Sequence, residues 1–541
     1  MKKVIIIILV VLLAVAAATG GFLWYRDAHI FVEDAVYAKN SEILDLRGQD
    51  ISLEHYNSVH SQLPHTEIFW DVPFQGTKYA NDITEMAISD LTEEDMVLLE
   101  YFPNLTKIDA TGCENYVLLE SLAALRPECQ VIYQVNLGNT AVSPDHTALS
   151  LSAGSFDFDT LLENLKHLPL LTELSFPKTD LTLEQIDAVS AAYEGITVSY
   201  TVDIAGQELP PEVTEIDLSQ LTSDQIEAVS QKIPMLPNLT SVELMTAEGT
   251  SSLSLADVKA LNAAAPDAVF HYTFDFYGYT ISTTDAEVHI KNKRIGDEGV
   301  EEVRQVLDIM ENCDRFVLEY CSISNEVMAQ LREDYRDTTK VVWRVVFGKG
   351  SCLTDSEVIR TTYNLTAKNC QDLIYCEDAR YMDLGHNEDL TTVEFVAGMP
   401  NLEMIIVSGA PIKDLTPFEN CKNLRILEIA FCHYIEDISP LAACENLTML
   451  NIGYTQVTDL SVLDDKAMEL LCLDGSKVGA EERARFSELQ PDCWLTYGDK
   501  QPYGRGWRYD KEDKPLEWYS NIIDVFGYPE PMNNGGWYLD E

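Results

Sequence analysis

Basic residues are scarce in this 541-residue chain, and their scarcity excludes a large class of partners. The sequence holds 37 Lys and Arg against 89 Asp and Glu, which gives a formal net charge of −52. A surface of this sign repels phosphate backbones and anionic lipid, so we expect no nucleic-acid partner and no membrane contact beyond an anchor. Solubility in a salty exterior explains the charge; a cationic partner or loosely held Ca²⁺ is the alternative.

Catalytic motifs are also missing from the chain. It contains no G-x-S-x-G elbow, no H-E-x-x-H helix, no phosphate-binding glycine loop and no C-x-x-C pair. His55, His60 and His65 are spaced five apart, which spreads them around a helix and makes a poor metal site. We therefore predict no catalytic residues, no metal and no cofactor, and keep an unrecognised surface hydrolase as an alternative.

A long apolar run stands at the N-terminus. Val4 to Leu23 gives 20 residues without a charge, about 30 Å as a helix and enough to cross a bilayer. Two lysines precede the run, and Trp24 and Tyr25 follow it as interfacial aromatic residues would. We predict a retained signal anchor; a cleaved signal peptide is the alternative, because an Ala-Ala-Ala run offers small residues near a cut. Both place the rest of the chain outside the cytoplasm.

Three stretches near the C-terminus repeat one pattern at intervals of 22 and 23 residues. They are "NLEMIIVSGAPIKDLTPF" from 401, "NLRILEIAFCHYIEDISPL" from 423 and "NLTMLNIGYTQVTDLSVL" from 446, and "AMELLCLDGSKV" is a fourth copy. Each reads L-x-x-L-x-L, followed by an aliphatic residue and an Asp-aliphatic pair. The L-x-L segment predicts a short strand whose alternate side chains point inward. One turn cannot bury its apolar face alone, so the turns must stack into a solenoid with a parallel sheet.

This pattern resembles the leucine-rich repeat family, in the 22-residue bacterial form of internalin-like surface proteins. The resemblance covers residues 379–480 and implies a bacterial cell surface and a protein ligand. The family's ladder asparagine after the strand is replaced here by Ala410 and Thr455. Threonine can still bond a backbone carbonyl, whereas alanine cannot, so we expect other groups to satisfy that turn.

The first 350 residues carry a longer repeat of strand, helix, strand and helix. Four segments, "TEMAI", "TALSL", "TEIDL" and "AEVHI", open its units, and their last residues are 63, 67 and 72 apart. Capping signals of the T-x-x-Q type at Thr182 and Thr222 predict helix starts. Between units, segments such as "IFWDVPFQGTKY" alternate in period two through a Gly-containing turn, which predicts β-hairpins.

The sequence thus predicts an α/β fold, a leucine-rich repeat solenoid with a parallel sheet, helical returns and periodic β-hairpin insertions. Its last residues contain three of the chain's seven Trp, and we expect them to cap the final turn, with a recognition segment as the alternative. We divide the chain into a signal anchor or signal peptide (1–25), an N-terminal repeat or cap (26–83), long repeat units with hairpins (84–350), a connector (351–378), short repeats (379–498) and an aromatic C-terminal tail or cap (499–541).

The concave face of the short repeats is the candidate binding surface. Residues between the buried aliphatics face outward, and parallel strands lie ~4.8 Å apart, so one column of them forms an apolar ribbon. Such ribbons usually mark a contact, and a protein or peptide suits this one better than a sugar because Met adapts its shape. The alternative is that the chain's own tail or a hairpin covers it. The candidate residues are Met404, Ile406, Ile426, Phe431, Met449, Tyr454 and Leu470.

Twelve cysteines in a chain of this length are no dense disulfide framework, and most have apolar neighbours, as buried thiols do. Cys421 and Cys444 each stand two residues before an Asn-Leu pair in adjacent turns. Stacking of those turns brings the two residues to roughly 5 Å, within the range of a disulfide. We expect two buried thiols, with a disulfide as the alternative.

These patterns lead to one expected function. We expect an extracellular, membrane-tethered leucine-rich repeat protein that binds a protein or peptide partner, located at the cell membrane or secreted if the signal is cleaved. A cell-envelope scaffold that self-associates through the ribbon is the first alternative.

Overall fold

The chain forms two compact units in the computed structural model, Met1–Val213 with Lys232–Asn238 and Thr214–Gln231 with Leu239–Glu541. The structure describes residues 14–15, 18–19, 21, 24–33, 35–310, 312–498 and 503–528. The predicted anchor or signal segment, 1–25, lies largely outside these residues. Within the described part of the chain, no helix is both long and apolar enough to span a membrane.

The described elements are short throughout. The α-helices are α1 (Leu53–Gln62), α2 (Glu93–Leu99), α3 (Tyr116–Leu125), α4 (Phe158–Asn164), α5 (Leu183–Ala192), α6 (Ile226–Lys232), α7 (Leu255–Ala264), α8 (Val300–Leu307), α9 (Asn325–Asp334), α10 (Ala480–Leu489) and α11 (Glu517–Phe526). The strands up to residue 213 are β1 (His29–Val32), β2 (Ala35–Ala38), β3 (Ile43–Asp45), β4 (Glu67–Phe69), β5 (Asp71–Phe74), β6 (Thr77–Ala80), β7 (Glu85–Ala87), β8 (Lys107–Asp109), β9 (Gln130–Ile132), β10 (Val135–Asn136), β11 (Ala141–Val142), β12 (Ala148–Ser150), β13 (Glu173–Phe176), β14 (Thr197–Tyr200), β15 (Val202–Ile204) and β16 (Gln207–Leu209). The later strands are β17 (Glu215–Asp217), β18 (Ser241–Glu243), β19 (Val269–His271), β20 (Thr273–Phe276), β21 (Tyr279–Ser282), β22 (Glu287–Lys291), β23 (Arg315–Glu319), β24 (Lys340–Phe347), β25 (Gly350–Leu353), β26 (Val358–Arg360), β27 (Tyr381–Asp383), β28 (Met404–Ile406), β29 (Ile426–Glu428), β30 (Met449–Asn451), β31 (Leu470–Cys472) and β32 (Trp494–Thr496).

The long repeats build parallel three-stranded sheets that alternate with antiparallel hairpins. In the first unit, β7-β8-β9 and β12-β13-β14 are parallel sheets, followed by the hairpins β10-β11 and β15-β16. The second unit repeats the arrangement with β17-β18-β19 and the hairpin β20-β21, and then with β22-β23-β24, where β25 pairs antiparallel with β24. The predicted hairpins are confirmed. The third parallel strand of each sheet comes from the residues that enter the hairpin, for which the alternating pattern predicts only the hairpin.

Reciprocal side-chain caps explain where the helices of the long repeats begin. At α5 the Gln185 N–H donates to Thr182 Oγ1 over 3.3 Å, and the Thr182 N–H donates to Gln185 Oε1 over 3.0 Å. These bonds satisfy two backbone donors that the first helical turn leaves free. Behind the cap, Ile186 and Val189 are buried. The helix start predicted from the T-x-x-Q signal is confirmed.

The short repeats form a seven-stranded parallel sheet in the second unit, in the order β26 to β32. Each strand is paired residue for residue with the next, and the returns between β26 and β31 are short 3₁₀ turns. Leu424, Leu427 and Ile429 are fully buried, as stacked turns require. β26 lies inside the segment 351–378, which the spacing predicted to be a connector, so the sheet begins one turn earlier than the repeat pattern indicated.

The turn that follows each strand is satisfied differently from one repeat to the next. At the ladder position Asn387 is 1% exposed, and its Nδ2 donates to the carbonyls of Thr361 and Leu384 over 2.9 and 2.8 Å. One repeat later the position is Ala410, whose side chain cannot form a hydrogen bond, and its backbone N–H donates to the Val407 carbonyl over 3.2 Å. Three repeats after Asn387, the Thr455 hydroxyl donates to the Ile452 carbonyl over 2.8 Å. The expected hydrogen bond from the threonine hydroxyl to a backbone carbonyl is confirmed.

The packing of the short repeats predicts the cost of a cavity. Changing Leu427 to Ala removes a fully buried side chain, and we expect the free energy of unfolding to fall by about 2–5 kcal/mol. Urea unfolding followed by circular dichroism measures this as a lower midpoint. The matched control is Arg425→Ala in the same strand segment, an exposed side chain whose loss should leave the midpoint almost unchanged. Equal midpoints for the two variants would contradict the stacked core.

Candidate functional site

The outward-facing side chains of the seven-stranded sheet form straight columns, and we call this side the sheet face. Register pairs the first residue of each strand with the first residue of the next. One column therefore contains four residues of the predicted ribbon, Met404, Ile426, Met449 and Leu470. The third residues make a second, more polar column of Arg360, Asp383, Ile406, Glu428, Asn451, Cys472 and Thr496.

Residues 503–528, which we call the C-terminal segment, cover the sheet face. The segment contains α11, which is followed by Gly527 in the left-handed region with φ of 61°. Its buried side chains are Trp507, Trp518, Tyr519, Ile522 and Phe526. They form one apolar cluster with four residues of the sheet, Met404, Ile406, Leu470 and Cys472. The sheet face is thus occupied by a polypeptide that belongs to the same chain.

The seven predicted site residues divide by how far this segment buries them. Met404, Ile406 and Leu470 are at most 3% exposed. Ile426 and Met449 are partly buried and pack against the same cluster, and Phe431 and Tyr454 are also partly buried. The ribbon is therefore not open in this state, in line with the alternative in which the tail covers it. A role of these residues in holding an external partner stays a prediction.

Glu428 is a fully buried carboxylate in the second column, and four polar contacts surround it. Its Oε1 accepts from Arg508 Nη2 over 2.6 Å and from Ser408 Oγ over 2.9 Å, and its Oε2 accepts from Trp507 Nε1 over 2.5 Å and from Arg508 Nε over 3.4 Å. Burial opposes the charge of Arg508, but the carboxylate of Glu428 outweighs it and raises the pKa of the guanidinium above its ordinary value. The C-terminal segment thus supplies Arg508 as the counter-ion of Glu428, which the sheet buries beneath the segment.

Asp383 is the second buried carboxylate of the column, and the end of the C-terminal segment also engages it. The Tyr528 hydroxyl donates to Asp383 Oδ2, and the Gly385 N–H donates to Oδ1 over 3.0 Å. Arg360 lies 3.7 Å from the same carboxylate, with its Cζ 4.8 Å above the Tyr528 ring. Burial and the neighbouring carboxylate raise the pKa of Tyr528, so its hydroxyl stays a donor at neutral pH.

An aromatic row follows the ends of the strands. Phe431 and Tyr454 stack with ring centroids 4.5 Å apart, and Tyr503 of the C-terminal segment packs on Phe431 at 5.3 Å. Both stacked residues are left-handed, with φ of 62° and 57°. The next repeat has Gly475 at this position, where a Cβ would lie 2.7 Å from the Tyr454 ring. This glycine therefore makes room for the row.

For Cys421 and Cys444 we expect two buried thiols, and the alternative disulfide between them is not formed in the structure. Both are buried free thiols. Cys421 Sγ lies 3.6 Å from the Val396 carbonyl oxygen, and Cys444 Sγ lies 3.3 Å from that of Phe418, so each sulfur points at backbone. Among the residues that the structure describes, no group of three or more His, Cys, Asp or Glu is placed to hold a metal ion.

Glu428 and Asp383 organise this face, but neither belongs to the apolar ribbon that the repeat pattern predicts. The sequence indicates Glu428 only as a charged residue between two aliphatic residues of the repeat, at the position where the neighbouring repeat has Ile406. Arg508, which pairs with Glu428, lies 80 residues further along the chain and outside the repeats, so no periodicity connects the two residues.

The stacked, in-register strands and their short returns have the fold of an α/β leucine-rich repeat solenoid. No model of a known protein family matches the chain, and no curated protein matches it. Solved structures that are similar to parts of it include two internalins of Listeria monocytogenes and a leucine-rich repeat protein of Leptospira interrogans. All three are below 20% identical to it in sequence and superpose poorly, so the assignment rests on the register of the strands.

The three comparisons differ mainly in coverage. Internalin C2 is 16% identical over 47% of this chain and 88% of its own, with a TM-score of 0.23. Internalin F is 14% identical over 79% of this chain and 86% of its own, with a TM-score of 0.22. The Leptospira protein is 15% identical over 76% of this chain and 93% of its own, with a TM-score of 0.23.

The buried ion pair predicts how the C-terminal segment is held. Changing Arg508 to Met leaves Glu428 buried without a counter-ion, which costs about 3–5 kcal/mol, so we expect the segment to detach more often. Hydrogen exchange of residues 503–528 should accelerate, and chymotrypsin should cut at Trp518 or Tyr519 sooner. The matched control is Arg505→Met, because Arg505 pairs with Asp513 in solvent, where both side chains are more than half exposed. Equal protection in the two variants would contradict this role of Glu428.

Proposed function

We propose that this chain is an extracellular, membrane-tethered leucine-rich repeat platform that binds a protein or peptide partner on its sheet face. One observation carries the proposal: the face already holds a polypeptide, the C-terminal segment, through both apolar and polar contacts. A surface that accommodates a helix and the strand-free residues before it has the shape and chemistry to accept a similar polypeptide from another molecule.

The chemistry of the face defines the kind of polypeptide that fits. The apolar column takes aromatic and aliphatic side chains, as it does with Trp518 and Ile522. Glu428 requires a cationic or N–H donor, and Asp383 requires a hydroxyl or cationic donor. A partner with an aromatic residue next to an arginine satisfies both columns, and the net charge of −52 attracts a basic one from a distance.

The partner on this proposal takes the place of the C-terminal segment. Its apolar side chains would contact Met404, Ile406, Ile426, Met449 and Leu470. Phe431, which stacks on Tyr454, would pack against an aromatic residue of the partner as it now does against Tyr503. Self-association would use the same surface, with the segment of one copy on the sheet face of another.

A synthetic peptide of residues 503–528, added in trans, tests whether the face accepts a separate polypeptide. Charge reversal in the chain, Arg508→Glu, places two carboxylates together and should release the chain's own segment. We expect the labelled peptide to bind this variant saturably by fluorescence anisotropy and to bind the unchanged chain at least tenfold more weakly. A peptide that itself carries Arg508→Glu is the matched control and should not bind.

The outcomes of this experiment separate the alternatives. No binding to a variant whose segment is released, as chymotrypsin cleavage would report, would overturn the sheet face as a polypeptide site. A shift of the variant to dimers in gel filtration, reversed by the free peptide, would favour the self-associating scaffold.

The tether is tested separately, by fractionation of cells that express the full chain. We expect the protein in the membrane fraction, resistant to alkaline extraction and degraded by protease added to intact cells. Changing Leu12 to Arg places a charge in the predicted apolar run and should reduce membrane recovery, since a charge at the centre of a bilayer is costly. A chain in the medium that lacks residues 1–25 would instead establish a cleaved signal.

A further inference from the structure

Two cysteines outside the sheet face lie close together in the second unit. Cys352 is in β25, the last hairpin strand of the long repeats, and Cys376 follows the 3₁₀ turn Gln371–Tyr375, the first return of the short repeats. Their Sγ atoms are 3.7 Å apart. From this geometry we propose that Cys352 and Cys376 form an intramolecular disulfide under oxidising conditions, a covalent link across the junction of the two repeat styles.

The surroundings of the pair hold both thiols in place. β25 is paired with β24, where Cys352 is opposite Val345. On the other side, the Cys376 N–H donates to the Leu373 carbonyl over 3.0 Å, and Arg332 Nη1 donates to the neighbouring Tyr375 carbonyl over 2.8 Å. A bond needs the two sulfurs to approach from 3.7 Å to about 2.05 Å.

The two thiols differ in a way that favours ordered oxidation. Cys352 is partly exposed, whereas Cys376 is fully buried. The hydrogen bond from the Cys376 thiol lowers the pKa of Cys352 despite its burial, and the same contact together with burial raises the pKa of Cys376. Cys352 is thus the accessible thiol that reacts first, since the thiolate is the nucleophile.

The reaction is thiol–disulfide exchange with a low-molecular-weight disulfide such as oxidised glutathione. The Cys352 thiolate attacks one sulfur of the oxidant, forms a mixed disulfide and releases one thiolate. Cys376 then loses its proton, attacks Cys352 Sγ and expels the second thiolate. The two cysteines lose two electrons and two protons, and the oxidant disulfide becomes two thiols.

The consequence of the bond is local to the start of the seven-stranded sheet. It closes a loop from residue 352 to residue 376 that contains β26. Closing such a loop restricts the unfolded chain, so the oxidised protein should unfold at a higher temperature. The inference does not depend on partner binding; export would supply the oxidising compartment in which the bond persists.

Peptide mapping of the full chain tests the link. The purified protein is equilibrated with reduced or oxidised glutathione, alkylated and digested with trypsin without reduction. We expect "GSCLTDSEVIR" (350–360) joined to "NCQDLIYCEDAR" (369–380) in the oxidised sample, with fragment ions that place the bond at Cys376 and not at Cys370. Cys421 and Cys444, which the repeat spacing places in adjacent turns, should be recovered alkylated.

The outcome that overturns the proposal is full alkylation of Cys352 and Cys376 in oxidised glutathione, or a bond to Cys370. Cys370→Ser should leave the link intact, whereas Cys376→Ser should abolish it. If Cys376→Ser fails to fold, Cys352→Ser at the partly exposed position serves instead. Oxidation should raise the melting temperature of the unchanged chain by on the order of a few degrees and leave that of Cys352→Ser unchanged.

Discussion

Burial of one turn against the next is the constraint on which the seven-stranded sheet depends. Each short repeat offers a three-residue strand and a 3₁₀ return, neither of which can exclude water from its leucines alone. Leu427 becomes fully buried only because the turns on either side supply Ile405 and Leu450 at the same register. A one-residue slip would turn every buried aliphatic outward, so the register is strongly specified. The outward columns follow from this register, because the residue at a given position of one repeat lies beside the residue at the same position of the next repeat.

The sheet face and the C-terminal segment are therefore specified together. The columns place Glu428 and Asp383 among apolar side chains. A purely apolar cover would leave these two buried carboxylates without hydrogen-bond or charge partners. The segment avoids this because Trp507 and Arg508 reach Glu428 while Tyr528 reaches Asp383. If the C-terminal segment shifted along the face, these partners would no longer meet. The buried ion pair therefore contributes more to the position of the segment than to the strength with which it binds.

How much of this the sequence predicts depends on whether the signal is local. Leucine spacing predicts the columns, because Met404, Ile426 and Met449 sit in one slot of a regular repeat. The repeat pattern does not indicate β26, because "EVIR" contributes one buried aliphatic residue, Ile359, between exposed neighbours. The covering segment has no period at all, and its contacts join residues about 80 positions apart. Similarly, Cys421 and Cys444 share a slot in adjacent turns yet point at carbonyls, while Cys352 and Cys376 meet from two different repeat styles.

A covalently attached occupant sets a threshold for any partner of the sheet face. A tethered segment competes at an effective concentration of roughly millimolar, so a ligand present at about 1 μM must bind on the order of a thousandfold more tightly than the segment does as a free peptide. The buried ion pair raises this threshold further for ligands without a cation opposite Glu428, because displacing Arg508 leaves that carboxylate unpaired. An apolar peptide alone would thus fail, and a peptide that also supplies the charge would succeed. The proposed platform is selective because a partner must replace the contacts that the C-terminal segment already makes with Glu428 and the apolar column. While the segment covers the column, the same contacts prevent unrelated chains from binding there.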